Sequence, residues 1–119
     1  MENDMSIYRH KQGARLAEAV VSNGLIFLAG QVPENTEADA RAQTENVLAQ
    51  IDALLAELDS DKTKIVDVTI FLASLADYEA MNAAWDAWVP AGHVPARATV
   101  EAKLANPAWK VEIKLVAAR

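Results

Sequence analysis

The chain has 119 residues, no cysteine, 52% apolar residues, a net charge of −6 and a pI near 4.8. Such a length fits one domain with a modest core, which gains from burying further surface in an oligomer. The missing thiols exclude disulfides, thiolate nucleophiles and thiolate metal sites, and the acidic balance opposes binding to phosphate backbones or anionic membrane.

The first residues, "MENDMSIYRH", lack an apolar signal core, and no apolar run approaches the roughly 18 residues of a membrane span. The expectation is therefore a cytoplasmic protein with no membrane partner. Residues 1–13 are set aside as an N-terminal extension of a single domain covering 1–119. Residues 14–22 read as a weak strand. Asn23-Gly24 then separates two apolar runs, a strong hairpin signal because both residues tolerate positive φ. A hairpin of Ala17–Ser22 with Leu25–Ala29 follows. "QVPENTEADA" leads into a helix, with Thr36 and Asp39 in capping-box spacing. Thr44, Val47, Leu48, Ile51, Leu54, Leu55 and Leu58 form its apolar stripe.

"IVDVTIFLA" is β-branched and alternating, which puts Val66, Val68, Ile70 and Leu72 on one face. A second helix from about Asp77 to Trp88 carries Tyr78, Met81, Trp85 and Trp88 on one stripe, read as core. Two prolines and a glycine end it in "VPAGHVP". Strands near Ala98–Ala102 and Lys110–Ala117 complete the order ββαβαββ, an α+β mixed sheet backed by two helices. In the last strand Val111, Ile113 and Leu115 point to the helices, and Lys110, Glu112, Lys114 and Val116 point away. Glu112 is then a solvated carboxylate, unless another subunit packs on that face. His10 and His93 read as exposed loop residues, and no carboxylates stand at ligand spacing from them, so no metal is expected.

"GLIFLAGQVP", "VDVTIFLASLADYEAMNAAW", "PARATVE" and "VEIKLVAA", in this order, resemble the RidA/YjgF family of imine/enamine deaminases over residues 14–118. The resemblance implies a chorismate-mutase-like fold, a homotrimer with clefts between subunits, and no cofactor. It further implies that Arg97 holds a substrate carboxylate, that Glu112 handles the hydrolytic water, and that Gly30 and Asn82 line the cleft. The chain departs from the family in two places. Ala98 and Thr99 stand where a serine and a cysteine often follow the arginine, and Leu16 stands where many members carry a tyrosine. Arg15 and His93 are further neighbours of these positions in sequence.

The implied chemistry is hydrolysis of reactive 2-imino or 2-enamino acids to 2-keto acids and ammonia. A guanidinium suits the carboxylate through two parallel charge-assisted bonds, and a carboxylate suits proton transfer to and from water. Thr99 is compatible with this route, which has no covalent thiol step. The alternative is a non-catalytic small-carboxylate-binding or regulatory member of the same fold, which Leu16 favours. Ribonuclease activity fits poorly, because the chain is acidic and lacks interleaved basic and aromatic residues.

Overall fold

The computed structural model describes residues 6–119. In chain order they form β1 (Ile7–Gln12), β2 (Ala17–Ser22), β3 (Leu25–Leu28), α1 (Ala40–Glu57), β4 (Ile65–Leu72), α2 (Tyr78–Trp88), β5 (Ala96–Glu101) and β6 (Val111–Ala118). Short 3-10 turns at Lys62–Lys64 and Leu75–Asp77 lead into β4 and α2. All strands belong to one sheet, in the order β1-β2-β3-β6-β4-β5. Among the described residues only β4 and β5 run parallel, joined through α2 as a parallel pair requires. The architecture is the expected α+β mixed sheet with two helices. Among the described residues no helix is long and apolar enough to cross a membrane.

The expected β2–β3 hairpin is present. Asn23 and Gly24 have φ of 56° and 78°, the paired positive angles of a two-residue turn that matches strand twist. β1 is an addition to ββαβαββ, formed by residues set aside as an extension. "IYRHKQ" shows no apolar alternation because the strand contributes nothing to the core; it is largely exposed. Main-chain pairing with β2 holds it, together with a polar chain to α1. Tyr8 Oη lies 2.9 Å from His10 Nδ1, and His10 Nε2 lies 2.8 Å from Glu57 Oε1. Lys11 Nζ also donates to Glu57, at 3.2 Å. His10 is thus a strand residue with partners rather than an exposed loop residue. Its hydrogen bond, then that of Lys11, holds the Glu57 carboxyl below its ordinary range.

Helix α1 buries the whole expected stripe, from Thr44 to Leu58. Its N-cap is Asp39, not Thr36: the Asp39 carboxylate accepts from Ala42 N at 2.9 Å. Thr36 is too far upstream, and its carbonyl instead accepts from Gln43 Nε2. Gln43 is fully buried and fully used. Its amide also donates to the Ala38 and Ala108 carbonyls and accepts from Lys110 N at 2.8 Å, tying the start of α1 to the loop before β6.

Phase is lost at the start of β4. Ile65 pairs with Ala117 and Asp67 with Val116, so Val66 is the extra residue of a bulge. Ile65 is therefore buried and Val66 is turned out, against the expected face, while Val68, Ile70 and Leu72 face the core as expected. Strand β5 starts at Ala96, two residues earlier than the sequence suggests, because pairing with β4 begins at Asp67↔Ala96.

Both helices cover one face of the sheet. On β6, Val111, Ile113 and Leu115 are buried there, as expected. The opposite face carries Val20, Leu25, Phe27, Phe71, Val100 and Val116, with Leu25, Phe27 and Val100 between 37% and 41% exposed. An apolar sheet face without a covering layer is unusual for a protein that acts alone.

Candidate functional site

Arg97 is the second residue of edge strand β5, paired in register with the buried Val68. Neighbouring residues of paired strands share a face, so its side chain leaves on the helix side and runs against α2. Nη1 donates to Asn82 Oδ1 at 2.7 Å, and Nη2 donates to Tyr78 Oη at 3.4 Å. The guanidinium carbon lies 5.3 Å from the Trp85 ring centroid and 6.0 Å from that of Tyr78. Stacking against a ring face holds a guanidinium without neutralising it. Among the described residues no carboxylate pairs with Arg97, in a chain of net charge −6. Asn82, Tyr78 and a long contact from Nη1 to Met81 Sδ at 3.9 Å engage three of its five donors, leaving two.

Thr99 stands two residues further along β5 on the same face, opposite Ile70. Its Oγ1 is buried and has no hydrogen-bond partner. Leaving a hydroxyl in that state costs about 1–3 kcal/mol, a cost that a ligand at this position would relieve.

Glu112 and Gly30 make a second cluster. Glu112 pairs with Phe71 and therefore lies on the uncovered face. Gln31 and Ile113 exchange main-chain bonds of 2.8 and 3.0 Å, which bring Gly30 beside Glu112. A Cβ at Gly30 would sit 2.0 Å from Glu112 Oε2 and 2.9 Å from Cδ. The glycine is required here for close approach of a carboxylate, not for a turn with positive φ.

The expected site residues thus separate. Arg97, Asn82 and Thr99 gather on the helix side of the edge, and Glu112 and Gly30 gather on the other face. Val68 and Phe71, their respective partners on β4, are about 10 Å apart along the strand. Leu16 lies elsewhere, in the β1–β2 turn, 56% exposed. It borders a hollow of about 270 Å³ shared with Arg9 and Arg15. β2 and β5 are four strand spacings apart, about 19 Å, so one protomer does not bring Leu16 to Arg97. A hollow of about 610 Å³ beyond β5, lined by Glu101, Lys103 and Trp109 among others, includes none of these residues. His93 is an exposed turn residue, as expected, and no hydrogen bond joins its side chain to Arg97.

The helical stripe predicts Tyr78 and Trp85 in the core. Trp85 is buried, but Tyr78 is 41% exposed, and both rings hold Arg97. The signal was available: Tyr78, Asn82 and Trp85 follow helical i, i+4, i+7 spacing, so a site role for Asn82 carries its stripe neighbours with it.

The geometry defines an α+β protein with a bare sheet face and two separate polar clusters, one of which holds an uncompensated guanidinium in a neutral cage. A model of the endoribonuclease L-PSP family matches residues 8–119. The RutC family protein YoaB of Escherichia coli K12 is 55% identical over 114 residues, 96% of this chain and 99% of that one. The crystal structure of NMB1025, a YjgF family member from Neisseria meningitidis, superposes with a TM-score of 0.94 at 52% identity, covering 98% of each chain. The chloroplastic Reactive Intermediate Deaminase A of Arabidopsis thaliana is 32% identical over 107 residues, 85% of this chain and 57% of that protein. The chain belongs to the RidA/YjgF family.

Proposed function

We propose that this protein hydrolyses reactive 2-imino or 2-enamino acids to 2-keto acids and ammonia, in a cleft between copies of the chain. The observation that carries the reading is the state of Arg97: positively charged, fixed by neutral partners and rings, and left with unused donors. Such a group suits a small carboxylate, each charge-assisted bond contributing about 1.5–3 kcal/mol. The relative named as a reactive intermediate deaminase supports the same chemistry.

The half-sites lie on opposite faces, so a second copy has to supply Glu112 and Gly30 to the Arg97 of the first. The uncovered apolar face gives a reason for copies to associate, and a homotrimer is the assembly proposed. In the cleft, Arg97 holds the carboxylate and water attacks C2. Glu112 takes a proton from that water and passes it to the imine nitrogen. It then takes the hydroxyl proton of the tetrahedral amino alcohol, the C–N bond breaks as the ketone forms, and the proton leaves with ammonia. General acid–base assistance of this kind is typically about 10²–10⁴-fold. This scheme uses no metal or cofactor.

The test couples an amino-acid oxidase to semicarbazide trapping of the released imine. The protein should lower the trapped fraction, and Arg97→Ala should abolish the effect while remaining folded; unchanged clearance by Arg97→Ala would remove the anchor. A second reading, carboxylate binding without turnover, is favoured by the anion-holding half being complete within one protomer. It predicts saturable 2-keto acid binding with no change in trapping.

A further inference from the structure

Resting on the reading of Arg97 as the carboxylate anchor, we infer that Tyr78 is a second substrate-binding group, whose phenol donates a hydrogen bond to the carboxylate that Arg97 holds. A guanidinium has only donors, so in the 3.4 Å contact the phenolic oxygen must accept from Nη2. That fixes the direction of the phenol. Its proton is released from any role towards Arg97 and is free to be donated elsewhere. No other hydrogen bond of the Tyr78 hydroxyl is present among the described residues, and the side chain is 41% exposed.

Asn82 differs. Its Oδ1 is committed to Nη1 at 2.7 Å, so it positions the guanidinium. The short 3-10 turn Leu75–Asp77, capped by Ser74 on Ala76 N and by Glu101 Oε2 on Leu75 N at 3.0 Å, delivers Tyr78 as the first residue of α2. The phenol is therefore anchored to both ends of its surroundings: to β5 through Glu101 and to the guanidinium directly. An anion arriving at the free Nη2 donor meets the phenolic O–H beside it, which converts a single cation into a mixed clamp of N–H and O–H donors. The polarised phenol, accepting from a cation, is a stronger donor than a free one.

The experiment compares wild type, Tyr78→Phe and Arg97→Ala by calorimetric titration with pyruvate and with pyruvamide, the neutral analogue. Tyr78→Phe keeps the ring over the guanidinium and removes only the hydroxyl. Pyruvate binding should weaken about tenfold in Tyr78→Phe, with pyruvamide binding changed less than twofold and the thermal midpoint and assembly mass unchanged. An equal loss for both ligands would make Tyr78 a structural support and overturn the inference. Wild-type affinity in Tyr78→Phe, with binding lost in Arg97→Ala, would overturn the inference and leave the anchor standing. Absence of pyruvate binding by the wild type would overturn both.

Discussion

Replacing Gly30 by alanine tests the coupling of main chain and carboxylate most directly. The added methyl would lie 2.0 Å from Glu112 Oε2, whereas ordinary contact begins near 3.4 Å, so the oxygen has to withdraw by about 1.4 Å. Gly30 does not have a positive φ, so alanine brings no backbone strain. Glu112 is half-buried on the uncovered face and can swing away, so the cost in stability is that of a displaced rotamer, about 0.5–1.5 kcal/mol. The effect on proton transfer is larger, because a misplacement of about 1 Å in a reacting group costs on the order of 10²-fold. We expect Gly30→Ala to keep its fold and pyruvate affinity while imine clearance in the semicarbazide assay falls about a hundredfold. In a Glu112→Gln background the same substitution should cost almost nothing, since the displaced group is already inactive. Wild-type clearance by Gly30→Ala, or full additivity with Glu112→Gln, would refute the reasoning.

Three further outcomes follow from the structure. Phe27→Glu puts a charge on the uncovered sheet face; if the proposed homotrimer forms through that face, light scattering should fall from about three times the 12.9 kDa chain mass to that mass, with the proposed clearance lost and far-ultraviolet dichroism retained. Asp39→Ala removes the side-chain acceptor of Ala42 N and should cost about 1 kcal/mol in denaturant unfolding, while Thr36→Ala should cost much less. For Glu57 the folded-state pKa is lowered from an ordinary 4.5 by the His10 and Lys11 hydrogen bonds, so its contribution is present above that value and is lost as pH falls through the lowered folded value. The difference in thermal midpoint between wild type and Glu57→Gln should accordingly be seen at pH 7 and should shrink in acid.

Elements with a dense periodic pattern were legible in the sequence: the α1 stripe, the Asn23-Gly24 hairpin and the alternation of β6 all depend on local spacing, and the structure shows them so. The resemblance to the RidA/YjgF family, not spacing, proposed which residues belong to a site; in the structure Arg97 and Asn82 meet at 2.7 Å and Gly30 lies against Glu112. Spacing alone did not show β1, because a strand held by main-chain bonds and a Tyr–His–Glu chain needs no apolar pattern. The β4 bulge was equally hidden: one inserted residue reverses the faces before it, and the choice between Ile65 and Val66 is made by pairing with β6. The role of Tyr78 depended on β5 lying beside α2, and the separation of Arg97 from Glu112 on the strand order β6-β4-β5. Side-chain type and period are properties of neighbours in the chain, whereas faces and partners are set by hydrogen-bonded register between segments far apart in it.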